Sequence, residues 1–394
     1  MSRIRRSFRG AFLLWICVTG WHLGTSSAAG QVQAIAMKAD RWIVGKKNFK
    51  LKQREEFGQN GEVVDYLGRP SLRLSKGFAF VRDLEFQNGT IEVDMAPHER
   101  GQFLGISFRV QSEDDYELIF FRPGASGTTQ AVQYTPGLNG ANSWQIYTGP
   151  GYSAAADIPR SRWTHVRIVV TGLVAKLYLN GETEPVLVVP ELRLNKTKGS
   201  IGFWAHAGGG YFSNLTYEPD AATYDVTAKR NFVPGALTDW SLSDLFDPSK
   251  NDPASYPDVK SMKWEKAEAE NPGMVVLNRY RRSPNINPPG RDEQIRGRSA
   301  GAGLVFARTT IHSEKDEIRK MNFGYSDSVV VYLNGKPVYN GNNAIAFREP
   351  DQLGLLDADS EGIYLPLKKG DNELLLAVTE YFGGWGFICK LAEQ

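Results

Sequence analysis

Cysteine is nearly absent from this chain, which excludes a disulfide framework. The two cysteines are Cys17 and Cys389, and Cys17 lies in an N-terminal segment that we expect to be removed. A single remaining cysteine cannot form an internal disulfide, so the fold must be stabilised by burial of apolar side chains. Residues 35–394 are long enough for two domains, each with its own core.

An excess of charge of one sign is also lacking. Lysine and arginine total 46 against 44 aspartates and glutamates, for a formal net charge of +2. Such a balance gives no basic field for nucleic acid and no polybasic patch for a membrane surface. We therefore predict a protein without a nucleic-acid partner.

Histidine is scarce, and the motifs of several enzyme classes are missing. The five histidines include no pair, and no histidine–cysteine pair, at the spacing of zinc ligands, so we predict no zinc site. The sequence has no Gly-x-Ser-x-Gly elbow, no phosphate-cradling Gly-x-x-x-x-Gly-Lys loop and no dinucleotide-binding glycine fingerprint. We predict no cofactor on these grounds.

Long apolar runs are missing except near the N-terminus. Four arginines precede an apolar run at residues 11–18, and small residues follow at 26–29. This order is typical of a secretory signal peptide, and the run is shorter than the roughly 20 residues that span a bilayer. We expect a signal peptide and short leader over residues 1–34 and export to the periplasm or the extracellular space. Bulky Ile16 before Cys17 disfavours a lipid anchor.

Glycine, proline and alternating patterns are abundant in the rest of the chain. There are 40 glycines and 20 prolines, with 11% aromatic residues. Apolar and polar residues alternate in short runs such as 89–95, 103–110 and 163–170, as in half-buried antiparallel strands. Asn180-Gly181 predicts a tight hairpin turn within residues 175–189. These patterns predict an all-β fold of two antiparallel β-sandwich (jelly-roll) domains in series.

The predicted division of the chain follows the change in pattern near a proline-rich stretch. We place the first sandwich at residues 35–219, a linker at 220–236 and the second sandwich at 237–394. The second strand series includes 303–311, 328–338 and 370–378.

The order of strand motifs in the first sandwich resembles the concanavalin A-like lectin/glucanase superfamily. The superfamily includes laminin-G-type modules and the 3-keto-disaccharide hydrolase-like domain. The motifs that carry the resemblance lie at residues 89–94, 103–108, 115–123, 162–169, 175–181, 199–203 and 211–215. Lectins, enzymes and adhesive modules share this sandwich, so the resemblance implies a fold and leaves the activity open. The second sandwich, with its Tyr-Leu-Asn-Gly hairpin at 332–335 and its strand at 368–376, resembles galactose-binding-like jelly rolls.

The strand around Glu92 and Asp94 offers weak catalytic candidates. Glucanases of family sixteen use Glu-x-Asp-x-x-Glu, and this chain has Pro97 in place of the second glutamate. Retaining hydrolysis needs two carboxyl groups about 5–5.5 Å apart, and proline can supply neither role. We interpret Glu92 and Asp94 as the polar face of a strand.

A saccharide site is predicted on the concave sheet of the first sandwich. Sugars are held by aromatic planes, which contact their C–H faces, and by bidentate donors, which contact their hydroxyl pairs. The candidate ligand-binding residues are Arg109, Arg122, Gln133, Tyr134, Trp144, Tyr147, Trp204 and His206. We expect the first six to lie close together, and the alternative is that Trp144 and Tyr147 only pack a long loop onto the sandwich.

A calcium site is a weaker candidate in the second sandwich. Asp357, Asp359 and Glu361 alternate as in the opening of a calcium loop, but Lys368 stands where an EF-hand has its bidentate glutamate. A solvated turn is the alternative.

Three functions stay open from the sequence. The first is an exported carbohydrate-binding protein, not embedded in a membrane, whose partner is a glycan. The second is a glycoside hydrolase of the 3-keto-disaccharide type, and the third is a structural or adhesive protein without a sugar site. Convergent carboxylates would favour the enzyme, and aromatic groups with arginine would favour the binding protein.

Overall fold

The computed structural model describes residues 30–44, 61–282 and 302–393. Within these ranges almost all regular structure is antiparallel strand, interrupted by short 3-10 turns at Ala39–Arg41, Pro123–Ala125 and Leu277–Arg279. The strands form two pairs of sheets that follow one another along the chain. The predicted all-β class with two antiparallel sandwiches is confirmed.

The first sandwich contains two sheets, which we call sheet A and sheet B. Its strands are β1 (Gln33–Ala34), β2 (Trp42–Val44), β3 (Gly61–Tyr66), β4 (Arg69–Leu74), β5 (Gly77–Val81), β6 (Gly89–Pro97), β7 (Phe103–Val110), β8 (Tyr116–Phe121), β9 (Val132–Leu138), β10 (Ala141–Asn142), β11 (Ser153–Ala154), β12 (Thr164–Thr171), β13 (Val174–Leu179), β14 (Leu187–Val189), β15 (Ser200–His206) and β16 (Gly210–Pro219). Sheet A has the order β14-β13-β12-β6-β16-β4-β3, with β1 beside β16. Sheet B has the order β10-β9-β8-β7-β15-β5-β2, with β11 beside β9.

The core of the first sandwich lies between these sheets and follows the predicted alternation. In β12, Val166, Ile168 and Val170 are buried while the residues between them are half-buried. Across the core, the Phe203 and Phe212 rings stack with centroids 4.0 Å apart. The hairpin between β13 and β14 is also confirmed, because Asn180 has φ 51° and Gly181 has φ 77°.

The second sandwich contains sheets C and D. Its strands are β17 (Asp239–Leu242), β18 (Glu265–Glu268), β19 (Met274–Val276), β20 (Gly303–Ser313), β21 (Glu317–Ser326), β22 (Ser328–Leu333), β23 (Lys336–Asn342), β24 (Glu361–Leu367), β25 (Gly370–Glu380) and β26 (Gly386–Leu391). Sheet C has the order β18-β17-β20-β25-β22-β23, and sheet D has the order β19-β26-β21-β24.

The core of the second sandwich is organised around two buried indoles, Trp240 and Trp385. Trp240 meets Phe387 edge to face, with ring centroids 4.7 Å apart. Cys389 also belongs to this core, and burial raises the pKa of its thiol above the ordinary range. The thiol acts here as a small apolar side chain.

The two sandwiches meet at a junction with an apolar part and a charged part. Side chains from both sandwiches form a buried apolar cluster that includes Tyr147 and Met274. Beside it, Glu270 accepts hydrogen bonds from the Tyr147 hydroxyl at 3.0 Å and from Arg193 at 3.4 Å, and it also pairs with Arg279. The Arg193 and Glu270 side chains are 5% and 12% exposed, and each has a second partner, Glu191 for Arg193 and Arg279 for Glu270, so the nearly buried charges form a network.

The predicted leader, residues 1–34, and the predicted linker, residues 220–236, can be compared with the strands of the structure where those residues are described. The signal peptide call covers residues 1–29, which lie outside the described residues, together with residues 30–34. Gly30 N–H donates to the Pro219 carbonyl at 2.9 Å, and Gln33 pairs with Tyr217, so the described part of the leader adds to sheet A. The predicted linker, residues 220–236, contains no named strand. None of the helices in the described ranges has the length and apolar character that crossing a bilayer requires.

Candidate functional site

The outer face of sheet B carries a continuous layer of aromatic side chains, which we call the aromatic face. Alternate residues of β5, β7, β8 and β15 point away from the core, and the layer they form comprises Phe78, Phe80, Phe103, Tyr116, Leu118, Phe120 and Trp204, with Trp144 packed against it. In the register of the sheet, Gly105 lies between Phe120 and Trp204. The two rings therefore meet across a glycine, edge to face, with centroids 5.6 Å apart.

Gly105 leaves no room for a larger residue at the centre of this face. A Cβ added there would lie 2.8 Å from Phe120 Cβ and from Leu118 Cδ1. A Cβ added to Gly202, on the neighbouring strand, would lie 2.5 Å from the Ala79 carbonyl oxygen. The rings on either side can therefore approach one another because Gly105 and Gly202 have no side chain between them.

The structure brings three of the predicted ligand-binding residues together at one end of the aromatic face. Arg122 donates to Gln133 Oε1 at 2.5 Å, and Gln133 Nε2 donates to the Trp144 carbonyl at 2.6 Å. The Arg122 guanidinium lies 5.6 Å from the Trp144 ring centroid and 4.5 Å from the centroid of Phe120. Burial lowers the pKa of Arg122 to about 10, so the group stays cationic at neutral pH.

Two more predicted residues, Trp204 and His206, lie at the other end of the same face. Their rings are stacked with centroids 6.4 Å apart, and Phe103 lies 6.0 Å from His206. Burial and the positive charge of Lys76 lower the pKa of His206, so its imidazole is neutral at pH 7. All three side chains are partly exposed. This end combines aromatic planes with a neutral hydrogen-bonding ring.

Arg109 does not belong to this face, which corrects the sequence prediction. The strand bulges at Arg109, whose φ is 49°, and the pairing of β15 with β7 shifts register beside it. A bulge moves the following side chains to the opposite face. The guanidinium is fully buried and donates to the carbonyls of Gln87 and Gly172 at 2.8 and 2.7 Å. It closes one end of the first core and cannot touch a ligand on the aromatic face.

Tyr134 and Tyr147 are also buried away from the aromatic face. Tyr134 faces the core, and its hydroxyl donates to Glu117 Oε2 at 2.6 Å. Burial is the main cause that raises the pKa of the Glu117 carboxyl. Tyr147 belongs to the junction between the sandwiches, where it reaches Glu270. Of the expected group of six, Arg122 and Trp144 are therefore partly exposed at the aromatic face, Gln133 is buried beneath them, and Arg109, Tyr134 and Tyr147 lie elsewhere inside the protein.

Glu92 and Asp94 lie on the outer face of sheet A, which we call the ion-pair face. Asp94 accepts from Arg69 at 2.5 Å and from Asn214 at 2.8 Å, and it lies 2.8 Å from the His165 ring. Glu92 is 3.8 Å from the other nitrogen of His165. The carboxylates are on the sheet opposite the aromatic face, in agreement with their interpretation as the polar side of a strand.

The calcium candidates have protein partners of their own. Asp359 pairs with Lys390 at 2.7 Å, Glu361 pairs with Arg348 at 2.5 Å, and Asp357 accepts from the Asp359 backbone N–H at 2.9 Å. In residues 30–44, 61–282 and 302–393 there is no group of three or more histidine, cysteine or acidic residues that could hold a metal ion.

The predicted site misses residues that the fold places on the aromatic face. Phe80 and Phe103 alternate with core residues, so strand periodicity alone could have identified them. Phe382 of the second sandwich also reaches this region, with its ring centroid 6.3 Å from that of Trp144. No local pattern connects two residues so far apart in the sequence.

The first sandwich is similar to a known family. A family model described as a 3-keto-alpha-glucoside-1,2-lyase-like domain matches residues 36–218. The match supports the resemblance read from the strand motifs of the first sandwich. The resemblance of residues 237–394 to galactose-binding-like jelly rolls stays a prediction. No curated protein matches the chain.

Several solved structures are similar to part of the chain. The carbohydrate-binding module CBM66 from Bacillus subtilis is 20% identical over 40% of this chain and 92% of its own, with a TM-score of 0.33. A Bacillus subtilis protein of unknown function with a galectin-like fold is 13% identical over 45% and 98%, with a TM-score of 0.31. A beta-1,3-1,4-glucanase (lichenase) from a mouse hindgut metagenome is 14% identical over 48% and 99%, with a TM-score of 0.33.

Proposed function

We propose that this is an exported carbohydrate-binding protein, which holds a saccharide containing an α-glucoside on the aromatic face of its first sandwich. The observation that carries the proposal is the row of partly exposed rings and polar groups on one sheet, from Trp204 and His206 to Arg122 and Trp144. The similarity of residues 36–218 to an α-glucoside lyase-like domain supports the choice of sugar.

The aromatic face suits a sugar because its two kinds of group match the two sides of a pyranose. The exposed parts of Trp204 and Phe103 offer flat apolar surfaces for the C–H groups of the ring. The two terminal nitrogens of Arg122 each donate one hydrogen bond, to the Gln130 carbonyl and to Gln133 Oε1, which orients their remaining N–H groups for hydroxyl oxygens. The neutral ring of His206 can accept a hydrogen bond from a hydroxyl as well as donate one.

A pair of matched tryptophan variants tests this function. We expect Trp204→Ala to weaken the binding of maltotriose by about 10-fold or more, because a stacking plane is lost. Trp163→Ala is the control, since Trp163 lies in the first sandwich near the ion-pair face, where Arg69 covers its ring at 5.1 Å. Isothermal titration calorimetry with maltotriose measures both, after a glycan array has surveyed other sugars.

The outcomes of this experiment are distinct. Equal loss in the two variants would place binding elsewhere, and no glycan bound by the unaltered protein would refute the proposed function. Melting temperatures of both variants, measured in parallel, separate loss of the site from loss of the fold.

A second candidate function is elimination on a 3-keto-α-glucoside at the same face. The family similarity and the lowered pKa of His206 favour it. In a 1,2-elimination, a base takes the C2 proton beside the ketone, the C1–O bond breaks, and the departing oxygen gains a proton. A neutral imidazole on the aromatic face could serve as that base.

The enzyme candidate is tested by product release. The unaltered protein would release fructose from 3-keto-sucrose, and His206→Ala would abolish release while retaining maltotriose binding within a few-fold. His165→Ala on the ion-pair face is the matched control and would stay active. No fructose release by the unaltered protein would leave binding as the function.

A further inference from the structure

We infer that the second sandwich supplies one end of the saccharide site through Phe382, and that the ligand is an oligosaccharide rather than a single sugar. The inference rests on the proposed function of the aromatic face. Phe382 and Trp144 are both partly exposed, and their rings meet at 60° with centroids 6.3 Å apart. Together they form a corner at the end of the face where Arg122 lies.

The loop that carries Phe382, residues 381–385, is fixed against the first sandwich. The Gly383 carbonyl accepts from the Gln145 backbone N–H at 3.0 Å. Gly383 and Gly384 have φ of 93° and 129°, which other residues rarely adopt. A Cβ on Gly384 would lie 2.9 Å from Ile146 Cγ1, and one on Gly383 would overlap the Gln145 side chain. The close approach of the loop therefore depends on these two glycines.

The same loop is fixed from inside the second sandwich. The buried carboxylate of Asp327 accepts hydrogen bonds from the backbone N–H groups of Tyr381 and Phe382. At the other end of the loop, the fully buried Trp385 donates its backbone N–H to Asn278 Oδ1 at 2.6 Å. Held at both ends, the loop presents the Phe382 ring in one position, which lowers the entropic cost of using it for binding.

The distance along the aromatic face sets the length of the ligand. Trp204 lies on β15, and Gln133, which holds the Trp144 carbonyl, lies on β9. These strands are separated by β7 and β8, so three spacings of about 4.8 Å put the two ends on the order of 14 Å apart. One pyranose ring cannot stack at both ends. A saccharide that uses the whole face must have at least two sugar units.

A length series of α-glucosides tests this inference. We expect Phe382→Ala to weaken maltotriose binding by about 5- to 10-fold and to change the binding of methyl α-glucoside by less than about 2-fold. Phe382→Trp, which keeps a ring, is expected to restore most of the affinity for maltotriose. Phe347→Ala, which removes an exposed ring elsewhere on the second sandwich, is the matched control.

The possible results separate the inference from the proposed function. Unchanged maltotriose binding in Phe382→Ala, with binding lost in Trp204→Ala, would keep the saccharide site and overturn the role of the second sandwich. Equal weakening for both sugars would overturn the assignment of Phe382 to a separate sugar unit. If the unaltered protein bound neither sugar, both proposals would be refuted. A melting temperature close to that of Phe347→Ala shows that Phe382→Ala is folded.

Discussion

The two outer faces of the first sandwich are built from the same alternating strands and differ in the partners of their charged side chains. On sheet A, outward residues form ion pairs, as Asp94 does with Arg69 and His165, beside the stacked rings of Tyr66 and Tyr211. On sheet B, the outward residues are rings, and the main cation, Arg122, lies over two of those rings. The cations and acids of the ion-pair face neutralise one another, whereas Arg122 on the aromatic face donates to a carbonyl and an amide oxygen and has no acidic partner among the described residues.

This difference shows why acidic residues on a strand are a poor guide to function in this fold. Glu92 and Asp94 have the spacing of a catalytic motif, yet each one faces charged or polar neighbours on its own sheet. Partly exposed pairs of this kind contribute little to stability and hold their partners in place. The groups that surround a side chain in the fold are more informative than its spacing in the sequence.

The largest expected effect comes from filling the centre of the aromatic face. Gly105→Val would place a Cβ 2.8 Å from Phe120 Cβ and Leu118 Cδ1, closer than van der Waals contact allows, and we expect a loss of about 2–4 kcal/mol of stability. Thr216→Val, on the outer side of β16 in sheet A, is the comparison and should change stability by less than about 0.5 kcal/mol. Urea denaturation measures both. Similar losses in the two variants would mean that the faces do not differ in packing.

A second effect concerns the buried acids behind the loop that borders the aromatic face. Burial raises the pKa of Asp327 to about 7, and burial together with the nearby Asp327 raises the pKa of Glu380 to about 8. Their folded-state pKa values lie above the unfolded ones, so their contribution to stability is complete below about pH 4 and is lost as the pH rises through about 7–8.

The measurement is a comparison of melting temperatures between pH 6 and pH 9. The unaltered protein is expected to lose on the order of 2 kcal/mol more over this interval than Asp327→Asn, whose amide stays neutral. The ion-pair face offers no buried acid of this kind among the described residues. Parallel curves for the two proteins would show that Asp327 does not titrate in this range.

A third effect compares one arginine from each face. Arg122→Ala removes two ring contacts and the hydrogen bonds to Gln130 and Gln133, and we expect it to cost about 1–2 kcal/mol of stability and to weaken maltotriose binding by about 5- to 100-fold. Arg69→Ala removes a partly exposed ion pair with Asp94 and should cost about 0.5 kcal/mol with no change in binding. Chemical denaturation and calorimetry distinguish them. If Arg122→Ala and Arg69→Ala changed stability and maltotriose binding equally, the two faces would not differ in their role in binding.

The smallest effect is expected from the carboxylates of the ion-pair face. Glu92→Gln combined with Asp94→Asn should change saccharide binding by less than about 2-fold and stability by less than about 1 kcal/mol. Any activity on 3-keto-sucrose should be retained. A complete loss of activity with the fold intact would instead make these residues catalytic.

Local alternation predicted most of the strands but could not locate every side chain of the site. The pattern of β12 fixes which residues enter the core, and the structure agrees with it. Gln133 and Tyr134 are neighbours on one strand, so their side chains point to opposite sides of sheet B: Tyr134 enters the core, and the buried Gln133 bonds to Arg122 and to the Trp144 carbonyl. Strand alternation alone predicts that the side chains of Gln133 and Tyr134 lie on opposite sides of the sheet.

Two features of the site depend on information that is not local in the sequence. The bulge at Arg109 inverts the face of its side chain, and a positive φ at an arginine has no residue signature such as glycine. Phe382 approaches Trp144 because the two sandwiches dock through residues of both, including Glu270 and Arg193. The packing of one domain on another is decided by the folded surfaces, which a strand pattern does not describe.

The buried thiol of Cys389 allows opening of the second sandwich to be measured by chemical labelling of the unaltered protein. Cys389 is the only cysteine in residues 30–393, is 1% exposed, and pairs with Phe323 in the middle of sheet D. A thiol reagent can reach it only when β26 separates from its neighbours. The labelling rate at increasing reagent concentration would therefore give both the frequency and the free energy of this opening, without an engineered probe. Adding maltotriose during labelling would show directly whether a sugar on the first sandwich slows the opening of the second.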